Sequence, residues 1–123
     1  MRVDAAAPIG MFDSGVGGLT VLHATLVRLP HEDVVYVGDT GRFPYGPRSR
    51  DELIAYAREL TGILVERGAK LVVVACNSAT AAALPDLQRR LTVPVVGVLV
   101  PEAHAAVLAT RNRRIGLLAT QAT

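Results

Sequence analysis

Five short runs rich in Val, Ile and Leu alternate with segments whose apolar residues recur at helical spacing, and this alternation constrains the fold more than any other feature. The runs cover residues 8–12, 33–38, 70–76, 93–100 and 114–119. They are too continuously apolar to be strands with one wet face, so all five read as strands buried on both faces of a parallel sheet. After the first, Leu19, Leu22, Leu26 and Leu29 form a helical stripe that Pro30 ends, and a helix is expected to cover the sheet there. Ser49 with Glu52 three residues later is a capping box; it opens a stripe of Leu53, Ala57, Leu60 and Leu64 that stops at Gly68. From Ser78 an alanine-rich helix runs toward Leu91, and Pro85, suited to a first helical position, predicts a second set of turns and a bend. A weaker fourth helix spans 101–110. Strand and helix in alternation, joined by short links, predict an α/β fold: a doubly wound parallel sheet with right-handed crossovers and helices on both faces.

The composition agrees. Hydrophobic residues make up 50% of the 123 positions and aromatic ones only 4%, so the core must be built from small and branched aliphatic side chains. A chain of this length holds one core. No apolar run approaches the roughly 20 residues that span a bilayer. Met1-Arg2-Val3-Asp4 places an acid where a signal peptide would begin its apolar stretch, so a cytoplasmic protein without membrane contact is expected. The net charge of +2 comes from dispersed arginines. Its densest group, Arg111, Arg113 and Arg114, lacks interleaved aromatics and a basic helical face, so no nucleic-acid partner is required. Cys76 is the single cysteine, which excludes an internal disulfide and a multi-cysteine zinc site; no metal is expected.

In doubly wound sheets ligands bind beyond the carboxyl ends of the strands. Those ends are polar here: Asp13-Ser14, Asp39-Thr40, Cys76-Asn77-Ser78, Pro101-Glu102 and Thr120. The turn Gly15-Val16-Gly17-Gly18 is not a dinucleotide fingerprint, because Thr20 stands where glycine or alanine is needed, and no lysine follows to make a P-loop. Its glycines allow close approach of an anion to N–H groups at the start of a helix; a carboxylate or a phosphate fits. Cys76 ends a strand and precedes a helix, a position that activates a thiol and faces the ligand crevice; the plainer reading is an inert buried cysteine. Ala79 excludes a C-x-x-C redox pair, and Ala82 stands where a cysteine phosphatase loop needs arginine. His23, His31 and His104 are expected at the surface. The turn-rich stretch 38–47, which includes Phe43 and Tyr45, reads as a rigid wall of the pocket.

Together, DSGVGGLTV (13–21), GDTGRFPYGP (38–47) and ACNSAT (75–80) resemble the glutamate racemases in order and spacing, and the resemblance continues through VPVVGV (93–98) and RIGLLAT (114–120). It implies two α/β domains of similar topology facing each other across the active site, each giving one cysteine. Residues 1–99 would be the first racemase domain, with the boundary near Leu99 to Glu102, and 100–123 a linker and the truncated beginning of the second. The resemblance makes Cys76 a catalytic acid/base, with Asp13, itself counted as catalytic, and Ser14 helping to set its protonation. Asp13, Ser14, Tyr45, Gly46, Asn77 and Ser78 would bind substrate. It further implies L- and D-glutamate as substrates, no cofactor, a supply of D-glutamate for peptidoglycan synthesis, and compatibility with a homodimer. Ser78 stands where the family more often has threonine, Gly41 where it has alanine, and Val100-Pro101-Glu102 departs from Glu-Pro-Gly. Because only Gln121 to Thr123 follow the last apolar run, the chain is expected to be incomplete and inactive alone. The alternatives are a non-catalytic half-enzyme or binding fragment, and a superfamily racemase acting on another small acid.

Overall fold

The computed structural model describes residues 3–123. Four parallel strands, β1 (Ile9–Asp13), β2 (Val34–Gly38), β3 (Leu71–Val74) and β4 (Val95–Gly97), form one sheet in the order β2-β1-β3-β4. Helices α1 (Leu19–Arg28), α2 (Arg50–Glu66), α3 (Asn77–Arg90) and α4 (Leu99–Ala109) alternate with them. The α/β doubly wound expectation is met.

Register decides which side chains meet. Phe12 stands opposite Val37 on one side and Val74 on the other, and Val72 opposite Val95, so these residues share one face of the pleat. That face carries the core, where Phe12, Val72, Val74 and Val95 pack with Leu53, Ala57, Leu60 and Leu64 of α2 and with Ala79, Ala83 and Leu87 of α3. Each large apolar side chain removed from water there contributes about 1.5–3 kcal/mol. The capping box forms as the sequence predicts: Ser49 Oγ accepts from Glu52 N–H and the Glu52 carboxylate accepts from Ser49 N–H. At the other end Gly68 takes φ +83°, a conformation that favours glycine. Arg58 of α2 grips Asp86 of α3 with two hydrogen bonds of 2.8 Å. This bidentate contact, with Arg90 assisting, holds the Asp86 carboxyl well below the usual carboxylate range.

The opposite face is thinner. Ile9 and Met11 are buried there, but α1 contributes no buried residue, and Leu19, Leu26 and Leu29 are each nearly half exposed. The predicted leucine stripe forms a helix without sealing the sheet. Pro85 lies inside α3, which runs as one assigned helix, not as the opening of a second one. The larger correction concerns residues 114–119, predicted as a fifth strand. They form no strand, and Ile115, Leu117 and Leu118 are exposed. A strand needs a hydrogen-bonding neighbour as well as apolar side chains. This segment lies across the carboxyl ends of the sheet, where Thr120 meets Ser78, and not beside β4. Arg111, Arg113 and Arg114 are in an exposed loop, and all three histidines are exposed. Among the described residues no helix is long and apolar enough to cross a membrane.

Candidate active site

The chain leaves β1 for a helix on one face of the sheet and leaves β3 for a helix on the other, so the strand order reverses between these two neighbours. Diverging connections open a crevice at their carboxyl ends. A cleft of about 400 Å³ lies there, lined by Asp13, Ser14, Cys76, Asn77 and Ser78 together with Glu102, Thr120 and Thr123. Five of the seven residues singled out in the sequence thus converge on one space.

The first wall is built by Asp13, which is 4% exposed at the end of β1. Its Oδ2 accepts from Gly15 N–H at 3.2 Å and from Gly18 N–H at 2.9 Å. The loop amides expected to receive an anionic ligand therefore hold the chain's own carboxylate. Ser14 Oγ stands 3.5 Å from Asp13 Oδ1, a long contact for a hydroxyl donor. Glycine is needed at position 18, because a Cβ there would lie 2.6 Å from Asp13 Cβ and 3.0 Å from Tyr36 Oη.

The second wall is the start of α3. Cys76 is extended (φ −134°, ψ 126°) and serves as N-cap, its Sγ accepting from Ala79 N–H at 3.4 Å. The sulfur thus sits at the positive end of a 14-residue helix, where negative charge is favoured. It is 6% exposed and borders the cleft, so it is shielded from bulk water yet reachable by a small ligand. Thr80 Oγ1 donates to Val74 O at 3.1 Å and pins the strand-to-helix turn that aims the sulfur. Asn77 is exposed and its Nδ2 donates to Glu102 Oε2 at 3.0 Å.

Tyr45 and Gly46 lie off the cleft lining. Tyr45 is 1% exposed within the core, and its hydroxyl donates to Asp39 Oδ2. Arg42 binds the same oxygen at 2.7 Å, reaches Glu59 at 2.8 Å and covers the Tyr56 ring at 4.2 Å. The stretch 38–47 is tied down as a wall, in keeping with its reading from sequence. Gly46 backs onto Thr120, whose Cβ would be 3.2 Å from a Cβ at position 46. A neighbouring cleft of about 720 Å³ is larger, but it is lined by residues such as Arg48, Ser49, Arg50 and Glu52 and by no cysteine. Size therefore does not decide the site; the cysteine does.

Sequence reasoning did not select Thr123, and noted Asp39, Glu102 and Thr120 only as strand ends. Ser78 Oγ lies 2.7 Å from Thr120 Oγ1 and 3.3 Å from Thr123 Oγ1. Asp39 was legible in principle, as an acid closing β2 beside the tyrosine loop.

Burial, followed by the bond to Asp39, raises the Tyr45 hydroxyl above its ordinary value of 10.0. A group whose folded value is raised adds stability below the unfolded value and loses it as pH climbs toward the folded one. The urea midpoint is therefore expected to fall above about pH 10, and Tyr45→Phe should flatten that part of the pH profile. An equally steep fall in the variant would assign the alkaline loss to other groups.

The profile of the Asp/Glu/hydantoin racemase family matches residues 20–123. The chain is 55% identical over 115 residues to a glutamate racemase of Listeria monocytogenes, covering 94% of this chain and 43% of that protein. The solved glutamate racemase of Aquifex pyrophilus superposes with a TM-score of 0.90 at 50% identity, over 94% of this chain and 46% of that one. The Thermus thermophilus glutamate racemase, solved with β-chloro-D-alanine, gives 0.86 at 52% identity, over 97% and 45%. The chain spans less than half the length of these relatives. With a cysteine capping a helix at the switch point of a doubly wound sheet, and a family profile covering residues 20–123, the chain belongs to the Asp/Glu/hydantoin racemase family.

Proposed function

We propose that this chain is the cysteine-bearing first part of a glutamate racemase that inverts glutamate by proton transfer between protein and substrate. The observation that carries the reading is Cys76: a shielded sulfur at the start of α3, across a small cleft from Asp13. The relatives named glutamate racemase supply the substrate class. The D-amino-acid analogue held by the Thermus enzyme is consistent with it.

The α-proton of an amino acid is weakly acidic. A thiolate can remove it when water is excluded and the developing carboxylate charge meets fixed donors. In this proposal Cys76 Sγ takes the proton on one face of the α-carbon. Asp13 and Ser14 orient the amino group and help to set the protonation of the cysteine. Asn77 and Ser78 hold the remaining polar groups, and for Tyr45 and Gly46 to join them the wall that carries them must turn toward the cleft. For Ser78 this means exchanging its contacts with Thr120 and Thr123 for substrate. Inversion requires a second acid on the opposite face, and these residues hold one cysteine. A second α/β domain, beginning near Leu99 to Glu102, would give the second thiol and close the cleft. A cytoplasmic location belongs to the same proposal, since a free thiol stays reduced there. So does the use of D-glutamate for peptidoglycan, and assembly as a homodimer, which static light scattering tests.

The test is incubation of L- and D-glutamate separately in D2O, reading α-deuterium by NMR and configuration by chiral chromatography. This chain should exchange slowly without inverting, and a protein extended to the relatives' full length should invert. Inversion by the 123 residues alone would remove the need for a second thiol; inertness of the extended protein toward glutamate, with turnover of another small acid, would reassign the substrate.

A further inference from the structure

Among the described residues, Tyr36 Oη is the one buried side-chain polar atom with no hydrogen-bond partner. An orphaned buried hydroxyl is costly relative to phenylalanine, which fills the same volume without the oxygen. Its surroundings give it a use. Tyr36 stands in β2 opposite Met11, on the face that Asp13 shares two residues further along β1. A Cβ placed on Gly18 would touch Asp13 Cβ, Tyr36 Oη and Ala75 Cβ, at 2.6, 3.0 and 3.1 Å. The hydroxyl thus enters the wall between Asp13 and the residue preceding Cys76.

Other donors near the sulfur are engaged. Ser14 faces Asp13, Tyr45 donates to Asp39, Asn77 donates to Glu102, and Ser78 shares its hydroxyl with Thr120. The cleft that Cys76 borders also holds Asp13 from β1 and Glu102 from α4, Ala79 N–H donates to the sulfur from its own helix, and negative charge on Cys76 acts on the hydroxyls of Tyr36 in β2 and Tyr45 in the following loop. The two carboxylates oppose a further negative charge. Ala79 N–H and the uncommitted phenol favour it.

We propose that Tyr36 is a positioning residue whose hydroxyl donates toward the sulfur when Cys76 becomes a thiolate, and so sets how readily that thiolate forms. The proposal rests on the reading of Cys76 as a base. The phenol keeps its proton for the purpose: burial, then the negative charge of Asp13 and of Cys76, raise it above its ordinary 10.0.

The test is Tyr36→Phe, read by the rate of Cys76 alkylation with iodoacetamide as a function of pH and, separately, by the urea midpoint. The midpoint should hold or rise, because the oxygen removed has no partner. The inflection of the alkylation profile should move up by about one pH unit, making the reaction near neutral pH roughly tenfold slower. Replacing Tyr36 with 4-aminophenylalanine, which keeps an N–H donor in place, should restore much of the rate. Superimposable profiles for wild type and Tyr36→Phe would overturn the proposal, and so would a large fall in the urea midpoint, which would assign the hydroxyl to the fold. Racemisation is not read, so this proposal and the racemase reading can fail independently.

Discussion

Cys76→Ala is expected to lower α-deuterium uptake into glutamate by roughly 10³-fold, within the range that a positioned general base contributes. The loss should appear in this chain and in a protein extended to the relatives' full length. Serine should not rescue it. A hydroxyl is far less acidic than a thiol, so the base would be missing even with an oxygen in the same place. The fold should survive, because Cys76 is a small side chain whose polar contact is one 3.4 Å bond from Ala79 N–H. Losing that cap costs about 0.5–2 kcal/mol. A variant with an unchanged urea midpoint and undiminished exchange would remove Cys76 from the reaction and restore its reading as an inert core thiol.

The second large effect is on stability. Gly18→Ala should lower the urea midpoint by an amount equivalent to about 2–5 kcal/mol, the sum of overpacking and of a strained buried hydrogen bond. The added methyl would meet Asp13, Tyr36 and Ala75, which belong to β1, β2 and the exit from β3 and cannot all retreat. If the loop yields instead, Gly18 N–H moves away from the Asp13 carboxylate. Gly62→Ala is the matched control. Gly62 lies inside α2 with nothing within 4 Å of a new Cβ, so alanine should raise stability by up to about 1 kcal/mol. Equal shifts in the two variants would mean that the crowding at position 18 relaxes freely.

What could be read from sequence was what is decided locally. Helix α2 is the clearest case: its capping box acts over three residues, its stripe names the buried positions, and Gly68 ends it through its own backbone conformation. Cys76 was legible because the end of an apolar strand and the start of a helix fall on one residue. Long-range pairing was not legible. Residues 114–119 carry the composition of a buried strand, yet a strand exists only beside a partner, and composition does not say where that partner is. The Ser78 contacts with Thr120 and Thr123 join positions 42 and 45 residues apart. The glycine loop fell between these cases. That its amides would seek an anion followed from its chemistry; that Asp13 supplies the anion required the fold.

The unequal cover of the two sheet faces gives the cleft walls unequal stiffness. The turn that aims Cys76 continues into α3, six of whose residues are buried, whereas the loop that holds Asp13 continues into α1, which buries none. Opening free energy follows burial, so the amides of α1 should exchange with solvent well before those of α3. The cysteine is thereby fixed to the rigid body, while the loop amides that grip the carboxylate opposite it adjoin the segment that fluctuates first. Loosening of the loop between Gly15 and Gly18 can then open the cleft to a small ligand without disturbing the aim of the sulfur.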